Sequence, residues 1–181
     1  MFVAMATVVT IGGAYAAWTY ISREVPAAEA EQSISITEKV TGVTSGTITV
    51  TPDADAFVIE NNGSYVTVWD TYEGESGIEI VFTPTATTCP DTSFTYSLEF
   101  SVAAEQQAAY DANPIFETVG TVSGTIEYIS GQTTASTVIT AETIRAWLTL
   151  NETTLATESE YDAFSALLSG CSVVVSVSEN K

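Results

Sequence analysis

From Phe94 to Val102 the chain alternates without interruption. Phe94, Tyr96, Leu98, Phe100 and Val102 are apolar or aromatic, and Thr95, Ser97, Glu99 and Ser101 fall between them. Successive side chains of an extended strand point to opposite faces, so this stretch can bury its apolar residues together only as a half-buried β-strand. Shorter versions of the same period run through residues 33–40, 47–51, 56–60, 65–70, 77–83, 124–129 and 171–178. Thr, Val, Ile and Tyr fill them, as a pleated, half-covered surface prefers. Between two of these segments stands Asn61-Asn62-Gly63-Ser64, whose Asn-Gly supplies the positive φ angles of a tight hairpin turn. Strands at this spacing, with no helix alternating regularly between them, predict an all-β fold. The expected architecture is an antiparallel β-sandwich over residues 33–181.

Three short helices are expected in the connections. Residues 103–110 are helix formers that end near Pro114. Thr140 can cap a helix over 141–148, whose Ile144, Trp147 and Leu148 share one face. Thr157-Glu158-Ser159-Glu160 is a capping box leading into Tyr161, Phe164, Leu167 and Leu168, with Gly170 as the stop. Their large side chains are expected to plug the ends of the sandwich.

Charge and residue usage narrow the chemistry. The chain carries 23 Asp and Glu against 4 Lys and Arg, a net charge of −19. Such a surface repels nucleic acid and anionic membrane, because both are bound by Lys and Arg neutralising phosphates. With no histidine at all, a Ser-His-Asp triad, a Cys-His pair and a His-Glu-x-x-His zinc site are all absent from the sequence. The acidic residues offer many carboxylate pairs for glycoside hydrolysis, but none is singled out. Pro52-Asp53-Ala54-Asp55 resembles the start of a calcium loop without its later ligands, and reads better as a solvated turn. Neither an enzymatic activity nor a cofactor is expected. Cys89 and Cys171 are the only cysteines. In an exported protein they would either pair, closing a loop for about 4–5 kcal/mol, or remain separate thiols.

The N-terminus points to export. No charge precedes Arg23, and the apolar run closes on Thr10-Ile11-Gly12-Gly13-Ala14-Tyr15-Ala16-Ala17-Trp18. An apolar stretch ending in small residues is the hydrophobic region and cleavage site of a secretory leader, here residues 1–17. Its basic opening is missing, because the chain starts Met1-Phe2-Val3, so a start assigned to an internal Met is expected. Beyond the leader there is no second apolar run long enough for a membrane span. The terminal Ser178-Glu179-Asn180-Lys181 carries no wall-sorting motif.

Gly12, Gly13, Tyr15, Ala16, Ala17 and Trp18, followed by Ser22-Arg23-Glu24 and the alternating Ser33-Ile34-Ser35-Ile36-Thr37, resemble the export region of the TasA/camelysin family. These are secreted proteins of Gram-positive bacteria that build biofilm-matrix fibres. The resemblance implies processing by a SipW-type signal peptidase, a mature chain beginning at Trp18 and a jelly-roll form of the sandwich. A general small-x-small rule would place the cut after Ala16 instead. Camelysin-like relatives are described as metalloproteases, but without histidine that activity is not carried over.

Residues 18–32 form an arm ahead of the first alternating strand. Pro26 and Ala27-Ala28-Glu29-Ala30 make it a poor independent helix or strand. The leading expectation is a secreted structural subunit of extracellular matrix fibres that polymerises with itself. The arm would add as a strand to the next subunit through Trp18, Tyr20, Ile21 and Val25. An accessory matrix protein is a second candidate partner. Otherwise the arm is a linker or folds back on its own domain. The competing expectation is a monomeric cell-surface adhesin or glycan-binding module, with Trp69, Tyr72 and the loop from Asp70 to Gly77 as contacts.

Overall fold

The structure is a computed structural model that describes residues 32–61, 65–86 and 88–180. The leader, the cleavage positions Ala16, Ala17 and Trp18, and the arm residues Trp18, Tyr20, Ile21 and Val25 lie outside the described residues.

The described chain is mostly β. In order it runs β1 (Gln32–Ser33), β2 (Ser35–Thr41), β3 (Gly46–Pro52), a 3-10 turn (Ala54–Phe57), β4 (Val58–Asn61), β5 (Thr67–Trp69) and β6 (Ser76–Pro84). There follow β7 (Thr92–Val102), α1 (Gln107–Ala112), β8 (Phe116–Thr118), β9 (Ser123–Tyr128) and β10 (Ala135–Thr140). The chain closes with α2 (Ala141–Trp147), β11 (Leu148–Leu150), α3 (Glu158–Ser169) and β12 (Cys171–Glu179).

Two sheets form a sandwich-like core, one in the order β2-β12-β7-β9 and the other β10-β6-β3. They meet through aromatic side chains. Phe82 of β6 lies 4.4 Å from the ring centroid of Phe94 on β7 and 5.2 Å from that of Tyr128 on β9. Burying an aromatic side chain of this kind contributes about 2–3 kcal/mol. Two smaller sheets, β1-β4-β5 and β11-β8, continue the framework.

The strands are antiparallel with one exception, since β2 runs parallel to β12. That pairing seats the first long strand beside the last one. Gln32 already pairs with Ile59, so the folded region includes the residue at which the arm was expected to end. The hairpin around Asn61 is present as β4 and β5, with Asn61 opposite Thr67. Its first residues differ from expectation. Ala56 and Phe57 lie in the 3-10 turn, which Asp53 caps by accepting from Asp55 N at 3.3 Å. The caps at Thr140 and Thr157 are present, the latter as a complete capping box with Glu160. Trp147, Phe164 and Leu168 are buried, as the expected role of these helices requires.

Of the two alternatives for Cys89 and Cys171, the structure has separate, buried thiols. Cys171 stands opposite Val102, at one end of β7, whereas Cys89 leads into the other end at Thr92. The length of β7 keeps them roughly 30 Å apart, far beyond the reach of a disulfide. Burial pushes the Cys171 thiol up to about 12, which leaves it inert.

At the Cys89 end, Glu179 ties β12 to β7 and to the β2–β3 corner. Its carboxylate accepts from Thr44 N at 2.8 Å, Ser45 Oγ at 2.7 Å, Thr92 Oγ1 at 3.1 Å and Thr44 Oγ1 at 3.2 Å. Burial raises its pKa, but these four donors outweigh burial and hold it below the usual glutamate value. A depressed folded pKa adds stability above the unfolded pKa, and that stability is lost as pH falls through the folded value. Glu179→Gln should therefore cost about 1 kcal/mol near neutrality. In urea titrations the gap from the wild-type chain should close on acidification. A gap that stays constant with pH would contradict this role.

Candidate functional site

The loop aromatics expected to face a ligand are already engaged. Arg145, in the last turn of α2, reaches back across the β4–β5 hairpin. It donates from Nη1 to Asp70 O at 2.8 Å and from Nη2 and Nε to Ala56 O at 3.0 and 3.2 Å. Its guanidinium sits 5.3 Å from the Trp69 ring centroid and 5.7 Å from that of Tyr72. Trp69 also stacks on Phe116 at 5.6 Å. The Tyr72 hydroxyl is 2.7 Å from both Asp53 Oδ2 and Ser76 O. The hydrogen bond to Asp53, then burial, raises the Tyr72 pKa to about 12. Trp69 and Tyr72 thus form a cation–π cradle for Arg145, and their faces are not presented together to a sugar. Asp53 is a structural acceptor, and among the described residues no group of three acidic or sulfur ligands is assembled for a metal.

A different feature stands open. Strand β7 outruns its neighbour β9, since their ladder ends at Ser97 opposite Ser123. One further bond, Leu98 N to Val122 O at 2.9 Å, closes the pairing. The parity of β7 decides what lies beyond. Ser93 O accepts from Asn180 N and Ala103 N donates to Gly170 O, both at 2.8 Å, so odd-numbered residues aim their backbone groups at β12. Even-numbered residues aim at β9, as Leu98 does. Phe100 and Val102 consequently direct N–H and C=O to the side where β9 has ended. Among the described residues no backbone partner meets them there.

The opening is shaped by the chain leaving β7. After β8, Val119 N donates to Trp147 O at 2.7 Å, and Gly120 turns the chain at a φ of +71° that favours glycine. The result is a groove of about 320 Å³ between Phe100 and Glu99 on one side and Thr118, Thr121 and Trp147 on the other. Val119, 61% exposed, stands beside it. Tyr110 braces the rear. Its hydroxyl donates to Phe116 O at 2.9 Å and accepts from Phe116 N at 2.8 Å, and its ring packs on Phe100 at 5.6 Å. Burial raises the Tyr110 pKa to about 12, so this brace stays protonated across ordinary pH. An unpaired strand edge beside a half-apolar groove is the geometry that accepts an added strand.

The sequence held one sign of this edge, because the alternation through Val102 is longer than that of the segment at 124–129. Nothing in it pointed to Arg145 as the partner of both loop aromatics. Compared with protein-family models, with curated proteins and with solved structures, the chain matches none.

Truncating Arg145 to Ala removes a charged donor from two buried-side carbonyls and a cation from two rings. The variant should lose about 2 kcal/mol of stability, read as a lower urea midpoint at unchanged slope. A midpoint equal to that of the wild-type chain would show that the cradle is ornamental.

Proposed function

We propose that the protein is a secreted structural subunit of extracellular matrix fibres, assembled by strand addition. The observation that carries this reading is the unpaired edge of β7 at Phe100 and Val102 with the groove beside it. The N-terminal resemblance to the TasA/camelysin family supports the export route, a SipW-type peptidase and a free N-terminus after cleavage. In this reading residues 18–31 of one subunit lie along β7 of the next, with Ile21 and Val25 packed towards Phe100 and Trp147. Head-to-tail addition of this kind does not close on itself and generates filaments. The net charge of −19 sets the condition for growth, since subunits of like charge repel until carboxylates are neutralised. A jelly-roll strand order and an accessory matrix protein belong to the same reading. Among the described residues no helix is long and apolar enough to cross a membrane.

Deleting residues 18–31 should leave the domain folded, because Gln32 and all the described strands remain. It should abolish filament growth seen by electron microscopy. Ile21→Asp or Val25→Asp should slow growth rather than abolish it, by placing a charge where an apolar side chain is buried. Mildly acidic buffer should speed growth of the intact chain. Fibres of normal width from the arm-less protein would refute strand donation. An intact chain that stays monomeric at every pH would favour a monomeric binding module instead.

A further inference from the structure

Strand β9 leaves one of its own edges unused. It pairs with β7 from Tyr128 opposite Thr92 to Ser123 opposite Ser97. Leu98 N donates to Val122 O, so the even-numbered residues of this stretch aim their backbone groups at β7. The odd-numbered residues aim the other way. Ile129 shows this at the end of the strand, where its N–H meets Gln132 Oε1 at 3.0 Å and its C=O meets Gln132 N at 3.1 Å. Before it, Ser123, Thr125 and Glu127 are exposed, and among the described residues nothing bonds to their N–H or C=O. The next strand, β10, pairs with β6 in the other sheet and does not cover them by hydrogen bonds. A bare edge is a template for another strand, and native sheets blunt theirs with Lys, Pro, a bulge or a covering loop. β9 has no Lys, no Pro and no shift of register, and Glu127 is its only charged residue.

We propose that β9 pairs antiparallel with β9 of a second copy of the chain, about a twofold axis at Thr125. The four-stranded sheets of the copies then join edge to edge. In this register Thr125 faces Thr125 of the second copy, and Glu127 of each copy faces Ser123 of the other. Each pair exchanges both of its N–H···O bonds, so every free group of the edge is used. No carboxylate meets a carboxylate, and the Ser123 hydroxyl can donate to the Glu127 across from it. A pairing shifted towards Ile129 runs into groups already bonded to Gln132 and moves the Glu127 carboxylates towards each other. The surface beside the edge suits a partner of like charge. Thr95 and Ser97 lie alongside Thr125 and Ser123 on the same face, and Ser178 and Ser176 continue the rows. A copy of charge −19 therefore approaches over hydroxyls rather than over carboxylates. A twofold contact also covers both edges at once and leaves none to recruit a third strand. This pairing goes beyond the fibre reading and does not depend on it, because it uses neither residues 18–31 nor Phe100 and Val102.

The test uses the mature chain at about 0.1 mM in roughly 0.5 M sodium chloride, which screens the repulsion between copies. Sedimentation should show a reversible doubling of mass. On doubling, the Thr125 and Glu127 amides should exchange at least about tenfold more slowly, whereas Ile126, bonded to β7 within each copy, should be slow throughout. Protection at Phe100 and Val102 reports strand donation and is read separately. Thr125→Asp sets like charges against each other at the axis and should weaken the pair at least about tenfold, with Ile126 still protected. Mixing Thr125→Asp with Thr125→Lys should restore it. The proposal is overturned by a chain that stays single under these conditions, or by doubling that leaves the Thr125 and Glu127 amides fast. Thr125→Asp pairing as well as the unchanged chain, or no rescue in the mixture, would also overturn it.

Discussion

The ladder between β7 and β12 is the constraint on which the rest of the structure rests. It runs from Cys171 opposite Val102 to Glu179 opposite Phe94 without a register shift. Val173, Val175 and Val177 are at most 1% exposed, so one face of β12 lies wholly in the core. Its other edge takes β2 in parallel, which binds the beginning of the domain to its end. The two tips of β12 are then fixed by different chemistry. Glu179 gathers hydroxyl and amide donors from the β2–β3 corner and from β7. Cys171 donates its thiol to Leu167 O at 3.3 Å, beside the end of α3.

That ladder also creates the open edge. With every odd residue of β7 committed to β12, the even residues depend wholly on β9 for partners. β9 satisfies them only as far as Leu98, because Gly120 and the Val119 bond to Trp147 O carry the chain away. Phe100 is thereby held from behind by Tyr110 and Phe116 while its backbone faces a groove. Natural sandwiches blunt such edges with charge, Pro or a covering loop. Among the described residues Glu99 is the only charged one lining the groove, and the groove is half apolar. An unpaired edge beside such a groove is the geometry that strand addition uses.

Much of the fold was legible because period-two patterning is a local signal. The strand at 94–102, the hairpin at Asn61 and the caps at Thr140 and Thr157 all follow from neighbours a few residues apart. β10 carries no clear period in the sequence, for a physical reason. Ala135 and Ile139 are buried, but Val138 is 46% exposed on the opposite face, so the alternation is blurred. The alternation at 56–60 does not hold at its start, because Asp53 captures the backbone as a cap and bends Ala56 and Phe57 into a 3-10 turn. The parallel partner of β2, the separation of Cys89 from Cys171 and the Arg145 cradle are all long-range pairings. No spacing in the sequence encodes them.

The central claim is that the backbone of β7 at Phe100 and Val102 receives a strand from a neighbouring subunit. Amide hydrogen exchange, compared residue by residue between monomer and assembled fibre, tests it most directly. In the monomer both amides should exchange fast, like unpaired edge groups, while Ser97, Glu99 and Ser101 stay protected by β12. In the fibre Phe100 and Val102 should become as protected as their odd-numbered neighbours. Equal and rapid exchange of both amides in monomer and fibre would contradict the account.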